Sequence, residues 1–160
     1  ERQEHRARLV ATATATARGG LLGVVATDGT RPAWRDGTFD RVLVDAPCTG
    51  LGALRRRPEA RWRRSPSDLD ALVPLQRALL EAALDAVRAG GVVAYATCSP
   101  VLAETAGVVS AVLAARDDVR LEEAQLPGVT DAAGPLPGTV QLWPHRHGTD
   151  AMFLALLRRS

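Results

Sequence analysis

The sequence contains no lysine and little cysteine, and it has no long hydrophobic run. Its only two cysteines, Cys48 and Cys98, are 50 residues apart. Two such residues cannot by themselves form a disulfide framework or a four-ligand zinc site. No apolar stretch approaches the ~18 residues needed to cross a bilayer, and nothing resembles a signal peptide. We therefore expect a soluble cytoplasmic protein with reduced thiols, no membrane association and no metal.

The length and composition are those of a folded domain. The chain has 160 residues, which is about the size of one domain and is long enough to bury a core without disulfides or metal. A composition of 46% hydrophobic and 24% charged residues excludes a disordered tail and a collagen-like repeat. Because the chain begins at Glu1 and enters a helical pattern at once, we expect a single domain, residues 1–160, truncated at its N-terminus.

The positive charge is concentrated in one segment. The net charge is +2, but residues 54–64 carry six arginines against one glutamate, a local charge of +5. The remainder of the chain therefore sums to −3. A GC-rich genome explains the absence of lysine, and the suitability of arginine for recognising planar phosphates and bases is the alternative.

Apolar runs alternate with helical patterns along the chain. Helices are predicted at residues 4–18, 67–87 and 105–115, and strands at residues 21–26, 39–44, 92–96, 119–124, 140–143 and 152–157. Glycine pairs at residues 19–20 and 90–91 predict helix ends, and Pro74 predicts a break or kink. Residues 49–66 are expected to form a loop with a helical turn, and residues 127–137 a second loop. This alternation predicts an α/β fold with a mostly parallel sheet and an antiparallel C-terminal hairpin.

Chemically active side chains follow three of the predicted strands. Asp28, residues 45–48 and residues 97–99 each come directly after an apolar run. Ligands of open α/β sheets bind outside the carboxyl ends of the strands, where these residues are expected to meet. A thiol at such a position is activated by helix N-termini and nearby arginine. The alternative is that each cysteine is an inert core residue.

Several segments together resemble one enzyme family. They are residues 39–50 (FDRVLVDAPCTG), the Arg-Arg-x-Pro-Glu and Trp62-Arg63 region, residues 94–99 (AYATCS) and residues 142–150 (LWPHRHGTD). The first closely resembles the signature of the Nop/Sun (RsmB-like) RNA cytosine-5 methyltransferases, and the likeness covers nearly the whole chain. It implies methylation of cytosine carbon 5 in RNA with S-adenosyl-L-methionine.

The resemblance implies a role for each residue of the two cysteine turns. Cys98 takes the position of the nucleophile, and Cys48 that of the cysteine that assists product release. Asp45 would hydrogen-bond the N3/N4 edge of the cytosine, and Pro47 would shape the turn that presents these groups. Addition of a thiolate to carbon 6 makes carbon 5 nucleophilic enough to attack a methyl sulfonium.

The resemblance also implies a cofactor site that is incomplete. Glu1 matches the acidic residue that binds the ribose hydroxyls, Asp28 the residue near the adenine, and Asp45 the aspartate after strand 3 of the family. The Gly-rich loop and strand 1 of the family have no counterpart here, because the glycine pair at residues 19–20 follows a helix and precedes a strand. We therefore expect a Rossmann-like sheet without strand 1, an unpaired strand edge and weak cofactor binding by the chain alone. The alternative interpretations are a turn at Asp28 and a frayed terminus at Glu1.

The arginine-rich segment is the candidate RNA-binding site. Its candidate contacts are Arg55, Arg56, Arg57, Trp62 and Arg63, because arginines beside a stacking aromatic residue are typical of RNA sites. A solvated charge run is the alternative. His145 and His147 suggest a metal site by their spacing, but no third ligand stands beside them, so packing or RNA contact is favoured.

Three functions remain open from the sequence. The first is methylation of RNA, with ribosomal RNA favoured over transfer RNA. The second is DNA cytosine-5 methylation, against which Cys98 counts because those enzymes lack a paired Thr-Cys-Ser turn. The third is a non-catalytic RNA-binding remnant. The sequence predicts no oligomeric state.

Overall fold

The computed structural model describes residues 1–15 and 20–160. Its helices and strands alternate along the chain. In order they are α1 (Glu4–Thr14), β1 (Phe39–Asp45), α2 (Ala60–Arg63), α3 (Asp68–Ala86), β2 (Val87–Thr97), α4 (Ala106–Ala115), β3 (Val119–Glu122), β4 (Val140–Gln141), α5 (Pro144–His147) and β5 (Phe153–Arg159). Single 3-10 turns at Leu51–Ala53 and Leu102–Glu104 follow the two cysteine turns. No helix in the described part of the chain is both long enough and apolar enough to span a bilayer.

The strands form one mixed sheet in the order β1-β2-β5-β3, with β4 also paired to β5. β1 and β2 are parallel, whereas β5 is antiparallel to each of its three partners. Within residues 1–15 and 20–160, four strands thus run in one direction and only β5 runs in the other. This confirms the predicted sheet with its antiparallel C-terminal hairpin, which β4 and β5 form around α5. β1 is an edge strand among the described residues, as the sequence predicted.

The core lies between the sheet and two helices. Alternate residues of β2 and β5 are buried, because successive side chains of a strand point to opposite faces. Tyr95 and Phe153 meet there edge to face, with ring centroids 6.3 Å apart. Leu80 and Leu84 of α3 and the valines of α4 pack in the same cluster. This packing fixes the end of the sheet from which both cysteine turns emerge.

The strand predicted at residues 21–26 is wrong. These residues form no ladder, and Leu22 is fully exposed while Leu21 and Val25 are about half exposed. An apolar run becomes a strand only where another strand offers its backbone groups, and β1 pairs only with β2 in the described chain. The first helix ends at Thr14, and the predicted continuation and stop at residues 16–19 lie outside the described residues.

Glycine and proline also act differently from the prediction. Gly90 and Gly91 do not end the long helix, which stops at Ala86 and passes directly into β2. They lie where the β1–β2 register shifts, with Gly90 at φ +78°. A Cβ on Gly91 would lie 2.8 Å from the Asp40 carbonyl oxygen, so the glycines permit a bulge. Pro74 lies inside an unbroken α3, on its exposed side, where solvent can satisfy the carbonyl left without a partner.

Candidate active site

The two cysteine turns leave the sheet side by side. Asp45 of β1 is in register with Ala96 of β2, and the Ala46 N–H donates to the Ala96 carbonyl at 2.9 Å. Because parallel strands end at the same edge of a sheet, both turns start from this point. The sulfurs of Cys48 and Cys98 lie 3.5 Å apart. The structure therefore brings together two residues that are 50 positions apart in sequence.

Gly52 locks one turn against the other. Its N–H donates to the Cys98 carbonyl at 3.0 Å, and its own carbonyl accepts from the Ala151 N–H at 2.9 Å. A Cβ on Gly52 would lie 2.7 Å from the Cys98 carbonyl oxygen, too close for any side chain. Only glycine permits this approach.

The sulfur–sulfur contact divides the roles of the two thiols. The Cys48 thiol donates to Cys98, and this bond lowers the pKa of Cys98 from 9.0 to about 7. The same bond, together with burial, raises the pKa of Cys48. Near neutral pH a large share of Cys98 is therefore thiolate while Cys48 keeps its proton. Thiolate is the nucleophilic form of cysteine.

A buried carboxylate that the sequence analysis missed ties the two turns together. Glu104 is fully buried, and it accepts hydrogen bonds from the Thr49 N–H at 2.7 Å and from the Ser99 hydroxyl at 2.6 Å. Gln76 of α3, also fully buried, donates to Glu104 at 3.0 Å and to the Pro47 carbonyl at 2.8 Å. One carboxylate thus holds the residue after Cys48, the residue after Cys98 and the long helix.

A second buried carboxylate holds the arginine-rich segment. Asp150 precedes β5 and is 5% exposed. It accepts from Arg55 Nε at 2.6 Å and from Arg56 through both Nε and Nη2. The hydrogen bonds from Arg56 and then Arg55 lower the pKa of Asp150. Two of the predicted RNA contacts are therefore anchored to the protein while their side chains remain 47% and 65% exposed.

A cleft of about 950 Å³ opens at this end of the sheet. Nine of the predicted site residues line it: Glu1, Asp28, Asp45, Pro47, Cys48, Arg56, Arg57, Arg63 and Cys98. We call Asp45, Pro47, Cys48 and Cys98 the cysteine wall, and Glu1 and Asp28 the carboxylate wall. Arg55 and Trp62 do not line the cleft. Its volume lies within the range of about 300–1,000 Å³ usual for small-molecule sites.

The carboxylate wall is held by short local bonds. Asp28 Oδ1 accepts from the Thr30 N–H at 3.0 Å and from the Thr30 hydroxyl at 2.8 Å, which lowers the pKa of Asp28. This is the turn that the sequence offered as an alternative. Glu1 accepts from the Gln3 N–H at 3.0 Å, and this bond lowers its pKa. Both residues nevertheless line the cleft.

Trp62 and His145 are exposed, whereas His147 is partly buried. Trp62 is 76% exposed, with the Arg61 guanidinium 5.6 Å from its ring centroid. His147 Nδ1 accepts from the Trp143 N–H, and Nε2 donates to the Thr130 carbonyl. Both ring nitrogens are engaged, so His147 packs a loop. No group of candidate metal ligands occurs within residues 1–15 and 20–160.

Comparison with known proteins decides the family. A family model described as 16S rRNA methyltransferase RsmB/F matches residues 1–158. The chain belongs to this family. A putative methyltransferase of Mycobacterium tuberculosis is 57% identical over 99% of the chain, and a probable ribosomal RNA small subunit methyltransferase B of Synechocystis is 37% identical over 76%. The chain spans only 34% and 27% of these two relatives.

Solved structures that are similar to this RsmB/F family member have the same fold. The crystal structure of PH0851 matches with a TM-score of 0.92 at 30% identity, over 99% of this chain and 36% of that one. NSun6 from Pyrococcus horikoshii, solved with SFG, matches with a TM-score of 0.75 at 27% identity, over 99% of this chain and 40% of that one. The sheet of this RsmB/F member is therefore the Rossmann-like methyltransferase sheet that its sequence predicted.

Proposed function

We propose that this chain is the N-terminally truncated catalytic domain, residues 1–160, of an enzyme that methylates carbon 5 of cytosine in RNA. Ribosomal RNA is the favoured substrate because the family model and several relatives are named for it. Such an enzyme would act in the cytoplasm. The observation that carries the proposal is the pair of sulfurs 3.5 Å apart at the strand ends, inside a cleft that Asp45 shares.

Cys98 is the nucleophile in this proposal. Its lowered pKa supplies thiolate near neutral pH, and the sulfur electron pair forms a bond to carbon 6 of cytosine. The electrons of the C5–C6 double bond shift to form a C4–C5 double bond, and those of the C4–N3 double bond move to N3, which takes a proton from solvent. Carbon 5 of the resulting enamine can attack an electrophilic methyl group. The exposed carboxylate of Asp45 would accept hydrogen bonds from the N4 amino group and from protonated N3, stabilising the adduct.

Cys48 performs the release step because its environment changes during the reaction. Its pKa is raised mainly by the hydrogen bond to Cys98. Once the Cys98 sulfur is bonded to carbon 6, it carries no charge and accepts hydrogen bonds weakly, so the pKa of Cys48 falls. Cys48 then loses its proton to solvent and removes the proton from carbon 5. The C5–C6 double bond reforms, Cys98 leaves as thiolate, and N3 returns its proton to solvent.

The cleft fits part of S-adenosyl-L-methionine. Its volume is sufficient, and the acidic Glu1 and Asp28 would hold the ribose hydroxyls and the adenine edge, with the leucines of α3 as apolar wall. When bound, the cofactor supplies the methyl group as a sulfonium. The relative solved with SFG, an analogue of this cofactor, supports the assignment.

The arginine-rich segment supplies the RNA contacts. Arg56, Arg57 and Arg63 line the cleft beside the cysteines, where they would bind backbone phosphates. Trp62, exposed outside the cleft, offers a face on which a base can stack. The target cytosine must be turned out of its helix to reach Cys98.

The test compares the two cysteines in the complete gene product, since each variant is the control for the other. Cys48→Ala should accumulate a covalent RNA–protein adduct that survives denaturing electrophoresis, because addition proceeds and release fails. Cys98→Ala and the double variant should form no adduct and should lose at least about 1,000-fold in turnover, as expected for a covalent nucleophile. Turnover that persists in Cys98→Ala, or an adduct on a DNA duplex rather than RNA, would overturn the proposal.

A non-catalytic RNA-binding remnant is the second candidate. It is favoured by the carboxylate wall, whose groups are occupied by local bonds to Gln3 and Thr30. Titration of the complete gene product with labelled S-adenosyl-L-methionine, beside the 160-residue chain, separates the two. We expect weak binding and no detectable methyl transfer by this chain alone, but both activities in the complete gene product. Their absence from the complete gene product would favour the remnant.

A further inference from the structure

We propose that Glu104 is a positioning residue, whose buried carboxylate holds Cys48 and Cys98 in register with each other and makes them unequal. The inference rests on the proposed function for its catalytic meaning. Its geometric content concerns the cysteine pair itself and can be measured without RNA or cofactor.

The position of Glu104 carries the inference. The side chain is fully buried, yet both carboxylate oxygens are used. Oε1 accepts from the Thr49 N–H at 2.7 Å and from Gln76 at 3.0 Å. Oε2 accepts from the Thr49 hydroxyl at 2.5 Å and the Ser99 hydroxyl at 2.6 Å. Thr49 directly follows Cys48, and Ser99 directly follows Cys98.

Joining two loops through a buried carboxylate has a high cost in desolvation free energy. Removing a charge from water costs several kcal/mol, which strong hydrogen bonds must offset. Buried groups of this kind can often be replaced as a whole by apolar side chains without loss of stability, so a gain in stability is not what distinguishes this arrangement. What the four donors achieve is alignment, because Thr49 and Ser99 are bound by the same group. The sulfurs one residue before them are therefore held to one separation.

The charge of Glu104 also separates the two thiols. Five ionisable groups are electrostatically coupled to the pair: Asp45, Asp150, Glu104, Arg56 and Tyr95. Asp45 and Asp150 oppose the lowering of the Cys98 pKa, whereas Glu104 raises the pKa of Cys48. Glu104 therefore helps Cys48 to stay protonated and to donate a hydrogen bond to Cys98.

The test measures each cysteine separately. Iodoacetamide alkylation of Cys48 and Cys98 would be followed by peptide mass spectrometry over a range of pH in the complete gene product. The variants are Glu104→Gln, which keeps length and removes charge, and Glu104→Asp, which keeps charge and shortens reach. The matched control is Tyr95→Phe, which removes the bond from the Tyr95 hydroxyl to the Glu104 main-chain carbonyl at 2.9 Å and leaves the carboxylate intact.

We expect Cys98 to be alkylated faster than Cys48 in the native protein. Glu104→Gln should reduce the ratio of the two rates by about two- to fivefold, less than the tenfold of one pKa unit, because the charge of Glu104 is the weakest of the causes that raise the pKa of Cys48. Glu104→Asp should restore most of the ratio. Tyr95→Phe should lower the melting temperature but leave the ratio of the two alkylation rates unchanged. With RNA, Glu104→Gln should lower kcat and leave KM for RNA unchanged.

An unchanged ratio in Glu104→Gln, with a melting temperature lowered as in Tyr95→Phe, would overturn the inference and make Glu104 a structural residue. Failure of the proposed function looks different. The native protein would then show the unequal cysteines and their dependence on Glu104, but no RNA adduct in Cys48→Ala.

Discussion

The cysteine wall of the cleft directly follows strands of the buried sheet, whereas the carboxylate wall consists of residues in segments with few contacts to the core. Cys48 and Cys98 follow strands in mutual register and are joined through Gly52 and Glu104. Glu1 and Asp28 precede or follow segments whose apolar side chains are exposed, and α1 buries only Ala7. A main-chain bond from the Thr27 N–H to the Glu1 carbonyl, 3.0 Å long, joins the two segments that carry these acidic residues.

The difference teaches that the two halves of the proposed reaction have different structural origins. The nucleophile and its partner are positioned by the folded core before any ligand binds. The groups assigned to the cofactor are positioned by local hydrogen bonds to Gln3 and Thr30, in segments with few buried contacts whose local opening costs little free energy. Chemistry at the cysteines should therefore be insensitive to changes in the carboxylate wall.

The largest expected effect contrasts the packing behind the two walls. Leu80→Ala removes a fully buried side chain of α3 and should lower the free energy of unfolding by about 2–5 kcal/mol. Leu22→Ala, at a fully exposed position beside the carboxylate wall, should change it by less than about 0.5 kcal/mol. Urea unfolding of both variants checks the contrast, and equal losses would show that residues 21–26 pack in solution.

The next effect tests the anchor behind the arginines. Asp150→Asn leaves Arg55 and Arg56 without their carboxylate and should cost about 1–2 kcal/mol at neutral pH. Because the folded-state pKa of Asp150 is lowered, its contribution is present above the ordinary value of 3.8 and is lost as pH falls below it. The two proteins should therefore converge in stability in acid. A constant difference down to low pH, or an equal loss in the exposed control Asp117→Asn, would contradict this.

A smaller effect is expected at the carboxylate wall. Glu1→Gln with Asp28→Asn should weaken binding of S-adenosyl-L-methionine to the complete gene product about tenfold, through loss of charge-assisted hydrogen bonds. The alkylation profile of Cys98, with its midpoint near pH 7, should not move. Calorimetry and site-resolved alkylation on the same sample measure both. A shifted Cys98 profile would show that the two walls are coupled.

The smallest effect separates anchored from unanchored arginines. Arg57 lines the cleft and makes no bond to a carboxylate among the described residues. Arg57→Ala should therefore reduce by about one the slope of the logarithm of the RNA-binding constant against the logarithm of the salt concentration. Its melting temperature should stay unchanged. Arg55→Ala should lower the melting temperature as well, because Arg55 is bonded to Asp150. Equal melting temperatures for the two variants would remove the distinction.

The sequence was sufficient for the sheet and the cysteine wall. Apolar runs that end at Asp45 and Thr97 predicted parallel strands, and parallel strands end at one edge. The meeting of Cys48 and Cys98 follows from that geometry. Residues 21–26 carried the same apolar signal, but a strand also needs an available partner, which a run of residue types does not reveal.

The groups that hold the site in place were not predictable in the same way. Glu104 bonds to Thr49 across 55 residues, and Asp150 bonds to Arg55 across 95. Both look in sequence like ordinary surface acids, because burial and partners arise only from the tertiary fold. The one available signal was position, since Glu104 follows the Thr-Cys-Ser turn by five residues and Asp150 ends the last family-like segment.

The place of β5 in the sheet has a consequence for the order of assembly during synthesis. β5 follows every other strand in the chain, yet it lies between β2 and β3 and also pairs with β4. A nascent chain emerges from the ribosome N-terminus first. Until Phe153–Arg159 has emerged, β2 lacks its second neighbour, and β3 and β4 lack the strand that binds them. We therefore expect the cysteine turns to be completed late, since the bond from the Ala151 N–H to the Gly52 carbonyl comes from the segment directly before β5.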